Sequence, residues 1–91
     1  MTSILVVDDE PRIVELASEY LRHAGYEVVA ATDGRAALET ARARHPDLVV
    51  LDLGLPGMDG LAVTRALRRE SSLPIVILTA RTEEEIGRAH V

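Results

Sequence analysis

The feature that most constrains the fold is a regular alternation between short apolar runs and longer segments with helical periodicity. Four runs rich in branched aliphatic residues occupy residues 4–7, 28–31, 48–51 and 75–78. Short runs of this kind, bounded by polar residues, are typical of strands that are buried on both faces of a sheet. Strands that alternate with helices form βαβ units with right-handed crossovers, which predicts a parallel sheet.

The segments between these runs carry apolar residues at helical spacing, and we predict helices over residues 11–24, 35–44 and 61–69. The first has a proline in its opening turn, Pro11, and a glycine just past its end, Gly25, which is the usual asymmetry of helix ends. The residues predicted to face the core are Ile13, Leu16, Ala17, Tyr20, Leu21 and Ala24 in the first helix, Ala37, Leu38 and Ala41 in the second, and Leu61, Ala66 and Leu67 in the third.

Composition excludes several classes of protein. The chain has 91 residues, enough for one small domain, and it has no cysteine, so a disulfide framework is excluded and the cytoplasm is the expected location. We find no basic stretch followed by a long apolar run, and therefore predict neither a signal peptide nor a membrane span. The net charge is −5 and the basic residues, all arginine, are scattered, which argues against nucleic-acid binding by this segment.

The candidate site residues follow the first, third and fourth predicted strands. Asp8 and Asp9 end the first run, Asp52 ends the third, and Thr79 follows the fourth. Because the carboxyl ends of parallel strands open onto one edge of a sheet, we expect the three carboxylates to lie close together. Crowded negative charge is costly unless a cation lies within it, and hard divalent cations prefer oxygen ligands. The pattern therefore indicates a metal site suited to phosphoryl chemistry.

Each of these residues, taken alone, also has an ordinary structural explanation. Asp8 and Asp9 precede a helix, where aspartate is a common cap, and Asp52 begins a turn, where aspartate is frequent. Thr79 alone is most simply a β-branched strand end. One cap does not require two aspartates, however, and it is the occurrence of such residues at successive strand ends that indicates a functional site.

The two loops at this edge differ in composition. Residues 54–60 are rich in glycine and proline, which set the backbone path; Asp59 is placed to cap the third helix, and only the carbonyl of Gly54 is a candidate ligand. The turn after the first strand is acidic rather than glycine-rich. It would repel a pyrophosphate, so a dinucleotide site is disfavoured.

Four motifs, in the right order and spacing, resemble the receiver domain of bacterial two-component response regulators, and most closely its OmpR/PhoB-type subfamily. They are ILVVDDEP at 4–11, PDLVVLDL at 46–53, LPGMDG at 55–60 and PIVILTAR at 74–81. The resemblance covers residues 1 to about 84. It implies an α/β fold, the flavodoxin/CheY-like doubly wound parallel sheet with strand order 2-1-3-4-5, truncated here after the fourth strand.

The resemblance also implies roles for the acidic residues. Asp52 would be the phosphoacceptor, whose carboxylate attacks the phosphorus of a phosphohistidine and forms an acyl phosphate. Asp9, Asp52 and the backbone carbonyl of Gly54 would hold Mg²⁺, with Asp8 acting through a bound water. The ion would offset the repulsion between the aspartates and the charge of the transferring group.

The switch and the partners follow from the same resemblance. Thr79 would turn its hydroxyl onto a phosphoryl oxygen, assisted by the backbone amide of Ala80, and so convert phosphorylation into a changed surface. The expected partner is a sensor histidine kinase, and the full-length protein is expected to dimerise and bind DNA through a C-terminal winged-helix domain. We expect no membrane contact, and no enzymatic activity beyond the domain's own phosphorylation and dephosphorylation.

The chain departs from the family pattern at its C-terminal end. A complete receiver has a fourth helix, a fifth strand that ends with a lysine contacting the phosphoryl group, and a fifth helix; the sequence shows none of these. Residues 85–91, EIGRAHV, are interpreted as a non-native tail, because this string is the translation of a common sequencing-adapter read. Residues 1–84 are then the N-terminal part of a receiver domain.

Two other functions stay open. A degenerate interaction domain that is not phosphorylated is the first, and the joint presence of the three aspartates and Thr79 argues against it. The second is a phosphatase with an aspartate nucleophile, similar to haloacid dehalogenases, in which nucleophile and acid lie two residues apart on the first strand. The second position after Asp8 or Asp9 is Glu10 or Pro11, so this fit is poor.

Overall fold

Strand and helix alternate throughout the residues that the computed structural model describes, 1–52 and 60–78. The predicted elements are all present, and each end lies within one residue of its predicted position. In chain order they are β1 (Ser3–Val7), α1 (Pro11–His23), β2 (Glu27–Ala31), α2 (Gly34–Arg44), β3 (Leu48–Asp52), α3 (Gly60–Glu70) and β4 (Ile75–Leu78).

The four strands form one parallel sheet in the order β2-β1-β3-β4. This confirms the predicted doubly wound topology as far as the fourth strand. Val7, at the end of β1, lies in register with Ala31 of β2 and Leu51 of β3, and Asp52 lies in register with Leu78 of β4. The carboxyl ends of all four strands therefore lie along one edge of the sheet.

The helix ends show why these segments fold as they do. Glu10 precedes α1 without a side-chain capping bond and Pro11 opens the helix, while Gly25 follows it at φ +97°, a backbone conformation that glycine adopts without cost. Asp33 caps α2, because its side chain accepts a 2.8 Å hydrogen bond from the amide of Ala36. The sequence argument had not identified this cap.

The two faces of the sheet are packed very differently. Among the described residues, eleven buried residues form one cluster on the face covered by α2 and α3, whereas the buried cluster on the face covered by α1 has three. The larger cluster contains Leu5, Val7, Ala31, Ala37, Leu38, Ala41, Val49, Leu51, Val63, Ala66 and Leu67. The smaller one contains Ile4, Val6 and Val14.

The predicted core face of α1 was largely wrong. Val14 and Ser18 are the buried residues of this helix, and neither was predicted to face the core. Of the six predicted residues, Ala17 and Leu21 are partly buried. The exposed ones are Ile13, Leu16, Tyr20 and Ala24. The apolar residues of α1 span a wider arc of the helix than the sheet can cover. One side of that arc therefore packs on the sheet, and the other side stays exposed.

The other two helices follow the prediction more closely. Ala37, Leu38 and Ala41 of α2 and Ala66 and Leu67 of α3 are buried as predicted. In α3, however, Leu61 is 54% exposed and Val63 is fully buried. Among the described helices, none is long and apolar enough to cross a membrane.

Candidate metal centre

Three carboxylates meet at the C-terminal edge of the sheet. Asp8 and Asp9 directly follow β1, and Asp52 is the last residue of β3, its neighbour in the sheet. Each side chain offers one oxygen, and these oxygens all lie within 4.8 Å of one another. Parallel pairing of β1 with β3 is enough to bring them together, because it sets the two strand ends side by side.

The turn after β1 holds Asp8 in place. Its backbone amide donates a 3.2 Å hydrogen bond to the carbonyl of Ala31, and its Oδ1 accepts a 2.9 Å bond from the amide of Glu10. This two-residue span is an Asx turn, which fixes the side chain against its own backbone. Ala31 positions Asp8 through its backbone carbonyl alone, so no side-chain pattern in the sequence could have identified this contact.

The helix-cap explanation does not account for the aspartate pair. The residue at the cap position of α1 is Glu10, and α1 has no side-chain capping bond. Asp8 bonds the amide of Glu10, which lies before the first helical residue, and Asp9 is exposed. Neither aspartate therefore serves as the conventional cap of this helix.

Burial is the largest cause of the raised pKa of Asp8, and the neighbouring negative charges add to it. Partial burial raises the pKa of its carboxyl above the ordinary value of 3.8, while the hydrogen bond from Glu10 lowers it in part. The charges of Asp52 and Asp9 raise the pKa further. A cation among the three carboxylates would reverse this effect, because it favours their charged forms.

The donor set fits a hard divalent cation. It consists of carboxylate oxygens, the ligands that Mg²⁺ and Ca²⁺ prefer, whereas softer metals favour nitrogen and sulfur. Opposite ligands of an octahedral Mg²⁺ lie about 4.2 Å apart, close to the 4.8 Å limit of this cluster. The cluster could therefore hold Mg²⁺ through direct and water-mediated bonds without rearrangement of the strands.

Four predicted site or cap residues lie outside the described residues: Gly54, Asp59, Thr79 and Ala80. Their roles stay predictions. Leu78, the residue before Thr79 in the sequence, is described, and it lies in register with Asp52.

The chain matches the family model of the response regulator receiver domain over residues 4–90. It is 50% identical to the DNA-binding response regulator MtrA of Mycolicibacterium smegmatis over 80 residues. These residues make up 88% of this chain and 35% of MtrA. It is 49% identical over 82 residues to PhoP of Bacillus subtilis, an alkaline phosphatase synthesis transcriptional regulatory protein, covering 89% of this chain and 34% of PhoP. The chain thus spans about a third of the length of these relatives.

A solved structure supports the same match. The response regulator TrrA of Thermotoga maritima, in complex with Mg²⁺ and BeF, is 44% identical, with a TM-score of 0.84 over 88% of this chain and 70% of that one. A second structure shows TrrA in complex with the histidine kinase ThkA, and superposes with a TM-score of 0.82 at the same identity and coverage.

Proposed function

Because the chain belongs to the family of response regulator receiver domains, we propose that it is the phosphoacceptor switch of a two-component phosphorelay. The observation that carries this proposal is the meeting of oxygens from Asp8, Asp9 and Asp52 within 4.8 Å at the carboxyl edge of a parallel sheet. Asp52 is the proposed acceptor. It ends a strand that is paired on both sides, so its backbone is held rigidly while its carboxylate is partly exposed.

The proposed reaction is a single phosphoryl transfer. A carboxylate oxygen of Asp52 attacks the phosphorus of a phosphohistidine on a sensor kinase, and the new O–P bond forms as the P–N bond breaks. The imidazole nitrogen keeps the electron pair of the broken bond, and the product on this chain is an acyl phosphate. The domain thereby catalyses its own modification and is regenerated by hydrolysis, rather than turning over a separate substrate.

Mg²⁺ is the proposed cofactor. Asp9, Asp52 and the carbonyl of Gly54 would hold it, with Asp8 acting through a water, and the carboxylate donor set is appropriate for such an ion. When bound, Mg²⁺ supplies positive charge that offsets the charge of the transferring phosphoryl group. The raised pKa of Asp8 is consistent with this proposal: burial is its largest cause, the charges of Asp52 and Asp9 add to it, and a cation would offset those two charges.

The proposed switch involves Thr79 and Ala80. The hydroxyl of Thr79 would donate a hydrogen bond to a phosphoryl oxygen on Asp52, and the amide of Ala80 would donate a second. The register of the sheet supports this assignment, since Leu78, the residue before Thr79, pairs with Asp52 across β3 and β4.

The proposed partners come from the relatives. TrrA, a structural relative, forms a complex with a histidine kinase, which supports a sensor histidine kinase as the phosphodonor. MtrA is a DNA-binding response regulator, which supports a transcriptional output through a DNA-binding part of the full-length protein. That the full-length protein is dimeric and lies in the cytoplasm is part of the same proposal. Residues 1–84 would be the N-terminal part of the receiver. Residues 85–91 stay the proposed non-native tail.

The decisive experiment is phosphorylation by acetyl phosphate in the presence of Mg²⁺, followed by intact mass spectrometry. The wild-type chain should gain one phosphoryl group, and the adduct should disappear when Mg²⁺ is chelated. The Asp52→Asn variant should gain none, because an amide cannot act as the nucleophile. An undiminished adduct on Asp52→Asn would refute the assignment.

A matched control is Asp47→Asn, which removes an exposed carboxylate on the opposite edge of the sheet. The carboxylate of Asp47 accepts a 2.8 Å bond from the amide of Ser3, and the carbonyl oxygen of an asparagine can accept the same bond. This variant should be phosphorylated like the wild type. Repeated turnover of a phosphoester would instead indicate a phosphatase, and Mg²⁺ binding without any adduct would indicate a degenerate domain.

A further inference from the structure

Two aspartates follow neighbouring strands of the sheet, and they have different roles at the helices that come next. Asp33 lies two residues after β2 and caps α2, because its side chain accepts a 2.8 Å hydrogen bond from the amide of Ala36, three residues on. Asp8 lies directly after β1, but it does not cap α1, and its carboxylate belongs to the cluster with Asp9 and Asp52. An aspartate before a helix ordinarily caps it, so Asp8 is the exception that requires an explanation.

The residue three positions after Asp8 is Pro11. A proline has no backbone amide, so the bond that joins Asp33 to Ala36 has no counterpart at this position. The carboxylate of Asp8 instead accepts its 2.9 Å bond from the amide of Glu10, which precedes the helix. Pro11 thereby removes the donor through which Asp8 would cap α1 in the manner of Asp33.

Pro11 also fixes the residue at which α1 begins. The ring of a proline disfavours helical backbone angles in the residue before it. Glu10 has extended angles, φ −96° and ψ 114°, and α1 begins at Pro11. A helix that began one or two residues earlier would include Glu10 and would make Asp9 or Asp8 its cap, with the carboxylate turned toward the helix amides.

Helix capping and metal binding compete for the same oxygens. A carboxylate that caps a helix points at amides of the first turn, whereas a ligand must point an oxygen at the cation. With α1 beginning at Pro11, the oxygens of Asp8, Asp9 and Asp52 lie within 4.8 Å of one another. The relative TrrA, 44% identical, was solved in complex with Mg²⁺ and BeF, which is a separate reason to treat this cluster as a cation site.

We propose that Pro11 is a positioning residue of the metal centre, because it keeps Asp8 and Asp9 from capping α1 and so leaves their carboxylates to the cation. Its side chain offers no ligand atom, so it acts through the start of the helix. This inference rests on the proposed function, since it takes Mg²⁺ as the cofactor of the cluster. It adds a role in the site to a residue whose ordinary explanation is a favourable first helical position.

The test is the affinity of the 91-residue chain for Mg²⁺, measured by titration with MgCl₂ and the NMR shifts of the backbone amides. In Pro11→Ala the helix can extend toward the aspartates, so Mg²⁺ must displace a cap before it binds. We expect Mg²⁺ to bind this variant about fivefold more weakly than the wild type, which is the effect of one helix cap expressed as a binding constant.

Pro74→Ala is the matched control. It makes the same chemical change at an exposed proline before β4, at the amino ends of the strands and opposite the acidic cluster. The carbonyl of residue 74, which accepts a 3.0 Å bond from the amide of Val49, is retained in this variant. Mg²⁺ should bind Pro74→Ala as tightly as it binds the wild type.

Hydrogen exchange separates a positioning role from a merely structural one. In Pro11→Ala without Mg²⁺, the new amide at residue 11 should be protected by a cap, and added Mg²⁺ should lower that protection because the carboxylate leaves the helix. Loss of a proline that only stiffens the chain would lower the melting temperature and leave this exchange independent of Mg²⁺. Pro11 is exposed and alanine is a good helix former, so circular dichroism should show no less helix than in the wild type.

The outcomes distinguish the role of Pro11 from the proposed function. Undiminished Mg²⁺ binding by Pro11→Ala, or an equal loss in Pro74→Ala, would overturn the role of Pro11 and leave the proposed function standing. Exchange at residue 11 that does not respond to Mg²⁺ would overturn it as well. A wild-type chain that binds no Mg²⁺ would refute the proposed cofactor, and the role of Pro11 with it.

Discussion

A comparison of the two faces of the sheet shows that an apolar sequence pattern does not by itself produce a buried surface. Both faces carry aliphatic residues at strand spacing, yet in the described part of the chain the α2/α3 face buries eleven residues and the α1 face three. Two helices that pack against each other cover the first face, whereas on the second face α1 is the one described helix, and it packs on β1 and β2. A residue contributes its burial energy only where another element covers it.

The difference is clearest for residues of the same type. Leu5 in β1 is fully buried on the α2/α3 face, and Leu16 in α1 is 59% exposed. Removing a leucine side chain should therefore have a large effect in one place and almost none in the other. We order the following tests of this comparison from the largest expected effect to the smallest.

Leu5→Ala should lower the free energy of unfolding by about 3 kcal/mol, because it leaves a cavity in a close-packed central strand. Leu16→Ala, the matched control, should change it by less than about 0.5 kcal/mol. Urea denaturation followed by circular dichroism measures both. Equal losses in the two variants would show that the α1 face is as well packed as the other.

His45→Gly, at the end of α2, should raise the free energy of unfolding. His45 follows α2 at φ +49°, in the left-handed region where a residue with a Cβ is strained and glycine is not. We expect a gain of roughly 0.5 kcal/mol in the free energy of unfolding, since the relief of strain exceeds the added chain entropy of glycine. A loss of stability would show that the left-handed turn is not strained.

Asp8→Asn should stabilise the chain at neutral pH without divalent cations, by roughly 0.5 kcal/mol, because it removes a charged carboxylate that is partly buried and lies beside two others. The pKa of Asp8 is raised in the folded chain. The contribution of Asp8 to the stability of the folded chain is therefore fully present below the ordinary pKa of its carboxyl. That contribution is lost as the pH rises through the pKa that the carboxyl has in the folded chain.

The pH dependence provides the control for Asp8→Asn. The advantage of the variant should vanish below about pH 3.8, where the wild-type carboxyl is protonated in both the folded and unfolded states. Thermal unfolding at several pH values, with and without Mg²⁺, measures this. If Mg²⁺ enlarged the advantage of Asp8→Asn rather than reducing it, the metal-binding role of this cluster would be contradicted.

Arg42→Ala should have the smallest effect. Its guanidinium forms two hydrogen bonds with Glu70, at 2.6 and 2.9 Å, and joins α2 to α3 on the better-packed side. Both side chains are solvent-exposed, so we expect no measurable change in the urea midpoint. A clear loss would show that this ion pair, as well as apolar burial, holds the two helices together.

The sequence predicted most of the framework because the signals are local. Short apolar runs predicted the strands, a period of 3.6 residues predicted the helices, and Pro11 and Gly25 mark the ends of the first helix. The alternation of elements then requires a parallel sheet, and the parallel sheet requires Asp8, Asp9 and Asp52 to share an edge.

The sequence could not predict which side of α1 touches the sheet. Its apolar arc includes both Leu16 and Val14, and either side could have been buried. For the same reason the prediction chose Leu61 over Val63 in α3 and overlooked the buried Ser18, whose polar side chain carries no core signal.

By itself, then, the sequence determined the order and ends of the elements and the strand ends that carry the acidic residues, since these depend on short-range periodicity and connectivity. Only the tertiary structure decided which helix faces are buried, how unequal the two faces of the sheet are, and how closely the carboxylates approach. These depend on how separate elements pack in space, and no local pattern specifies that packing.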